Sequence, residues 1–373
     1  MTERELTAVG GDLDRLAAEG VSPWLDGAGR RLLASGGLAD LVRHRGVRGA
    51  RLDAAVLAAS PAGADDAYDE YAEQLRFLAH RDVRPDAALQ ALIACDARWA
   101  CDDLLPVYEA TRGREGHVSA DAGPDPRPAD AEALVRAVNR PNILVKIPAT
   151  SPTALETVRA CIGRRIGVHV TEIFSLRRYG EVADAYTTGL EHARAAGHSL
   201  SGIASVAELP VGRIGTEVDR LLARLGTPQA RALRGEAGRA AAQMVYDAYE
   251  ERLGGDRWAS LAASGAVPQT VMWSGVRCVE RYVAWGTAVA LPLGPGNGIC
   301  PLPLEGDTLS GREAAGRAVW GALGRLGVSY GAVCRTLEDR SREAARGTWR
   351  RVREAVGEPV LPVSETVTFG GQK

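Results

Sequence analysis

The feature that most constrains this chain is an alternation. Short apolar runs of strand character are separated by longer segments of helical spacing, the pattern of a parallel sheet built from βα units. The runs fall at 21–26, 46–53, 117–122, 142–149, 166–173, 201–209, 270–274 and 298–302. Eight such strands are the number that closes a (β/α)8 TIM barrel. Of the helical segments, 175–196 is the clearest: Ser175 can cap it, and Leu176, Tyr179, Ala183, Tyr186 and Leu190 recur at steps of three and four. The intervals 54–115 and 210–265 each hold more than one helix, so extra helices are expected outside the barrel rather than separate domains. Two more are expected over 310–327 and 330–356, while 358–373 has no sustained period and reads as a flexible tail. A single barrel domain over 1–357 is the resulting expectation.

Charge and composition then exclude partners. Forty-seven acidic against 45 basic residues give a net charge of −2, without the electrostatic footprint of a nucleic-acid or membrane-surface binder. The first twenty residues lack an apolar signal region, and no run approaches the ~18 apolar residues of a membrane span, so a cytoplasmic protein is expected. Cys95, Cys101, Cys161, Cys278, Cys300 and Cys334 form no CxxC pair and read as free buried thiols. There is no HExxH, and Gly294, Gly296 and Gly298 do not lie between a strand and a helix as a dinucleotide fingerprint would. No metal or cofactor is expected, the partner is a small molecule, and the chain is expected to be a monomer or homodimer.

Among the 45 basic residues only Lys146 and Lys373 are lysines. A bias that turned nearly every other cation to arginine spared one internal position. Arginine supplies charge equally well, but it cannot supply an amine that loses its proton. Lys146 lies in Ile143-Leu144-Val145-Lys146-Ile147, an apolar strand run holding a single charge. Burial there favours a neutral, nucleophilic amine able to form an imine with a carbonyl. A buried ion pair with a barrel carboxylate is the competing reading.

The company of Lys146 bears on that choice. Asp26, Asp53 and Asp121 end the first three strands, Thr171 and Glu172 the fifth, and Glu208 the sixth. In a (β/α)8 barrel the C-terminal strand ends converge on one rim, bringing a carbonyl-reactive amine together with carboxylates able to move protons.

Several stretches resemble the long bacterial transaldolases, in the same order along nearly the whole chain. They are Gly20-Val21-Ser22-Pro23-Trp24-Leu25-Asp26, the stretch from Asp96 to Thr111 with Cys101-Asp102 and Pro106-Val107-Tyr108, and the most specific, Arg140-Pro141-Asn142 through Lys146 to Ala149-Thr150. Val170-Thr171 with Ile173-Phe174-Ser175 and Ser205-Val206-Ala207 follow. The resemblance implies a barrel of the class I aldolase type and an enzyme acting on a ketose phosphate or related carbonyl compound. It implies that Lys146 forms the Schiff base, that Asp26 is the acid/base at the breaking C–C bond, and that Thr171 holds the catalytic water. By the same resemblance Arg213 grips a substrate phosphate, and Arg277, in Trp273-Ser274-Gly275-Val276-Arg277, is a second phosphate ligand, with Ser274 also at the substrate.

The chain departs from that pattern inside the pocket. Where transaldolases carry Thr-Thr-Asn-Pro after the second strand, it reads Arg51-Leu52-Asp53-Ala54, so Asp53 replaces an asparagine that contacts substrate hydroxyls. The glutamate that relays protons to the lysine is Asp121, an asparagine on the fifth strand is His169, a substrate-binding serine on the sixth is Glu208, and a nearby aromatic is Pro210. Swapping amides and hydroxyls for charges alters which substrate is accepted. Glu208 and Asp53, if ionised, favour a cationic or donor-rich substrate end, unless His169 and the arginines neutralise them internally. The alternative is a non-catalytic barrel kept as a binding module.

Overall fold

A computed structural model describes residues 13–54, 69–292, 304 and 306–357. Eight parallel strands close in chain order into a barrel: β1 Val21–Asp26, β2 Gly49–Arg51, β3 His117–Asp121, β4 Ile143–Pro148, β5 Val168–Thr171, β6 Ser205–Leu209, β7 Thr270–Trp273 and β8 Thr287–Pro292. The fold is therefore the expected (β/α)8 barrel. Helices α1 Arg30–Ala34 and α2 Gly37–Arg45 join the first two strands, and α3 Asp69–Ala79 and α4 Pro85–Ala110 follow β2. Then come α5 Pro128–Val138, α6 Ala154–Gly163 and α7 Leu176–Ala195, each between successive strands. Four helices separate β6 from β7: α8 Val211–Leu225, α9 Pro228–Ala232, α10 Ala237–Leu253 and α11 Asp256–Ala262. Both intervals the sequence assigned more than one helix hold them, and a second helix also lies between β1 and β2. After β8 come α12 Glu313–Arg325 and α13 Tyr330–Gly357, while 358–373 lies outside the described residues.

One strand was misplaced by the sequence pattern. The eighth is Thr287–Pro292, paired with β1 from Val21↔Thr287 to Asp26↔Pro292 and with β7 from Val271↔Thr287. The expected run, 298–302, lies outside the described residues. Alanine is a poor strand former, and Thr-Ala-Val-Ala-Leu-Pro reads weakly for that reason. Here Ala288 and Ala290 face inward and cluster with Trp24, which supplies the bulk on that side of the floor.

Strand alternation separates two cores. Outward-facing Val118, Ala120, Val145, Ile147, Val168, Val170, Ala207, Leu209, Val271 and Trp273 pack under the helices. Inward-facing Trp24, Leu144, Val206, Met272, Ala288 and Ala290 fill the barrel floor. The next inward positions toward the C-terminal rim are polar: Asp26, Arg51, Ser119, Asp121, Lys146, His169 and Glu208. A hydrophobic plug therefore lies beneath a charged layer. Gly49 is required in the plug, since a Cβ there would lie 2.4 Å from ring atoms of Trp24.

Helix α7 starts as its sequence demands, Ser175 Oγ accepting from the Arg178 amide at 3.1 Å. The last helix, α13, lies along the rim. Cys334 donates to the Phe174 carbonyl, Arg342 Nε to the Thr150 carbonyl at 3.1 Å, and Arg353 pairs with Asp86 at the start of α4, 2.7 Å away. No described helix is long and apolar enough to cross a membrane.

Candidate active site

Lys146 is carried on β4, whose entry is fixed by motif residues that never reach the site. The Asn142 amide donates to the carbonyls of Cys101 and Gly116 at 2.9 and 2.8 Å, and Arg140 pairs with Asp102. These contacts tie β4 to α4 and to the start of β3, setting the register Asp121↔Lys146↔His169 across three strands. Lys146 therefore points into the lumen. It is 4% exposed, donates from Nζ to the Leu52 carbonyl, and has Asp121 Oδ2 3.5 Å away. Asp121 is held in turn by the Ala54 amide, which donates to Oδ2 at 2.9 Å. The amine thus meets both a carbonyl and a carboxylate near the rim, so the ion-pair reading and the nucleophile reading describe the same geometry.

Arg51 organises the opposite wall, and its role went unassigned in the sequence. Its Nη1 lies 3.1 Å from Glu208 Oε1 and 3.4 Å from Asp26 Oδ1. Burial opposes the guanidinium charge, but Glu208, Asp26, Asp53 and Asp121 outweigh it and raise its pKa above the ordinary value. The signal was present: Arg51 stands two residues after Gly49, so strand alternation puts it on the inward face.

Glu208 is the most enclosed carboxylate here. Ser274 Oγ donates to its Oε1 at 2.5 Å, and its Oε2 lies 3.1 Å from His169 Nε2. Burial disfavours its charge, yet Arg51, His169 and Ser274 more than offset this and hold it well below the usual carboxylate range. Glu208 is therefore charge-compensated within the lumen by an arginine and His169. Its partner His169 is fully buried, and desolvation pushes its pKa down despite the carboxylate, with Arg51 and Lys146 acting in the same direction. Nδ1 hydrogen-bonds with Ser119 Oγ at 2.9 Å, while Nε2 faces Glu208 Oε2 without hydrogen-bond geometry, both atoms being buried. Trp24 meets the same ring edge-on, centroids 6.0 Å apart.

The remaining expected residues divide. Thr171 is buried at the end of β5, in register with Pro148. Asp53 is exposed just beyond β2 and contributes to the field at Arg51. Arg213, in the first turn of α8, donates to Glu172 Oε2 at 2.7 Å and to Ser341 Oγ at 2.6 Å, with its guanidinium carbon 4.9 Å from the Phe174 ring centroid. Gly212 brings that helix against the loop after β7: its amide donates to the Ser274 carbonyl, and a Cβ there would meet the Gly275 carbonyl at 1.8 Å. Arg277, farther along the loop, is exposed and forms no hydrogen bond or ion pair with the other expected residues among those described. No group of three or more metal-ligating side chains occurs among the described residues. Of the cysteines, Cys101, Cys161 and Cys334 are buried, Cys95 is partly so, Cys278 is exposed, and Cys300 lies outside the described residues.

Comparison with known proteins agrees with this architecture. A family model described as transaldolase/fructose-6-phosphate aldolase matches residues 23–287. A protein named transaldolase 1 from Streptomyces avermitilis is 41% identical over 362 residues, covering 92% of this chain and 94% of its own. Transaldolase 1 of Streptomyces coelicolor is 40% identical over 375 residues, with 95% and 97% covered, and a transaldolase of Thermobifida fusca 40% over 367 residues, with 94% and 98% covered. With barrel, lysine strand and relatives all in agreement, this chain belongs to the transaldolase/fructose-6-phosphate aldolase family.

Proposed function

We propose that the protein is a transaldolase-type enzyme that makes or breaks a C–C bond in a ketose phosphate or related carbonyl compound through a Schiff base on Lys146, with a specificity shifted from that of its relatives. The observation that carries this reading is the position of Lys146 Nζ, buried inside the lumen between the Leu52 carbonyl and Asp121. The amine adds to the ketone, and loss of water gives an iminium. Asp26, on the inward face of β1, takes the proton from the hydroxyl on the carbon of the breaking bond that leaves as the aldehyde. The C–C electrons flow into the iminium as an enamine, and an aldehyde leaves. The enamine then attacks an acceptor aldehyde, Asp26 returns the proton to the new alkoxide, and water cleaves the imine, with Asp121 exchanging protons at nitrogen and Thr171 orienting that water.

The altered polar shell supports a changed substrate preference. Arg51, His169 and Ser274 all converge on Glu208. A site built from different donors and acceptors rejects groups it cannot pair. Borohydride reduction with a panel of phosphorylated and unphosphorylated ketoses, read by mass spectrometry, tests the reading. A stable adduct on Lys146 that disappears in Lys146→Arg is expected; no adduct across the panel would leave a non-catalytic binding barrel.

A further inference from the structure

We propose that Glu172 is a specificity-determining residue that reserves the rim around Arg213 for carbonyl compounds lacking a phosphate at that end. The inference rests on the Schiff-base reading above. Arg213 is the arginine that the family resemblance assigns to a substrate phosphate, yet it already has a carboxylate partner without one. One guanidinium nitrogen donates to Glu172, the other to Ser341 of α13, and its face covers Phe174. Planar donation to a carboxylate is the geometry by which arginine also binds phosphate, so Glu172 occupies the place that anion would take.

The backbone marks this contact as built in. Glu172 has φ +61°, in the left-handed region that non-glycine residues rarely enter. Its neighbours are pinned: the Thr171 carbonyl accepts from Ala149 at 2.7 Å and the Ile173 amide donates to the Glu208 carbonyl at 3.2 Å. The chain therefore turns sharply after β5 and delivers a carboxylate to Arg213. Arg340 and Arg342, flanking Ser341, are matched as well, by Glu217 at 2.8 Å and by the Thr150 carbonyl and Asp339. A phosphate dianion would have to displace Glu172 and then lie beside it, like charge against like. A hydroxylated chain end can instead add to the pair, donating to Glu172 and accepting from Arg213.

The test compares the wild-type protein with Glu172→Gln, which keeps the shape, and Glu172→Gly, which suits the positive φ. Inorganic phosphate is titrated calorimetrically, and kcat and KM are measured for D-fructose and D-fructose 6-phosphate with the same acceptor. The wild type is expected to use the unphosphorylated donor at least as well. Both variants should shift the preference toward the phosphorylated donor by about tenfold or more, through KM rather than kcat, and bind phosphate tighter by a similar factor. A wild type that prefers the phosphorylated donor tenfold, or phosphate binding unchanged in both variants, overturns the proposal. If neither donor reacts, the borohydride panel decides the Schiff-base reading, while the phosphate titration still decides what Glu172 does to Arg213.

Discussion

Arg51 on β2 and Glu208 on β6 meet across the lumen, Nη1 to Oε1 at 3.1 Å. Their strands stand four apart in a ring of eight, so the pair bridges the barrel above its hydrophobic floor. In the transaldolase pattern these positions are a threonine and a serine, and the two departures compensate each other. Arg51→Thr alone leaves a buried carboxylate without its main counter-charge, a loss of about 3–5 kcal/mol for a broken buried pair. Glu208→Ser should cost less, because Arg51 keeps Asp26 3.4 Å away. The double variant should recover most of the loss. Urea unfolding of the four proteins checks this, and single effects that simply add would refute the coupling.

Acidification should weaken the fold through its buried histidines. His117, at the start of β3 and edge-on to Tyr108, is buried, and desolvation pushes its pKa down to about 4. Its unfolded value is near 6.5, so as pH falls the unfolded chain binds the proton first. Stability is complete above about pH 6.5 and drains away toward pH 4, at about 1.4 kcal/mol for each tenfold difference in proton affinity. His169 is shifted in the same direction by burial and adds to the slope. Glu208, held low, gives up its contribution only below about pH 4.3. Urea midpoints at pH 7, 6 and 5 should fall steadily in the wild type and less steeply in His117→Gln; identical slopes would clear His117.

Asp26 and Asp121 should separate kinetically. Asp121 faces the amine, whereas Asp26 is held from the other side by Arg51. Asp26→Asn is expected to lower turnover by about 10²–10⁴-fold while borohydride still captures the Lys146 adduct. Asp121→Asn should slow capture itself. An Asp26 variant that loses capture along with turnover would contradict the assignment of the C–C step to that carboxylate.

Barrel, lysine strand and most inward carboxylates were legible because they rest on period-two alternation and on one cation in an apolar run. Lys146 lies within β4, and Thr171 and Glu208 sit at or next to the ends of β5 and β6, where the pattern put them. What escaped depends on pairing across the lumen. The sequence around Arg51 departs from the family pattern with no visible reason until Glu208 appears opposite it, and compensation of Glu208 by His169 and an arginine can be named from the sequence, but not which arginine. Arg213 was found, but not that Glu172 and Ser341 hold it, since these come from a turn with positive φ and from the last helix. β8 was misplaced because its inward alanines serve the bulk of Trp24, a demand set by another strand.

That demand yields a last prediction. Gly49 leaves room for the Trp24 ring, which a Cβ would approach to 2.4 Å. Both residues lie in the barrel floor, where backbone and indole are enclosed by neighbouring strands and cannot part freely. Gly49→Ala should therefore destabilise by about 1–3 kcal/mol, the usual penalty for overpacking a filled core. The displaced ring would press on His169 and, through it, on Glu208, so the variant should also lose turnover. Trp24→Leu in the Gly49→Ala background removes the clash and should raise the thermal midpoint above that of Gly49→Ala alone. A midpoint for Gly49→Ala equal to the wild type would mean that the floor is looser than this packing implies.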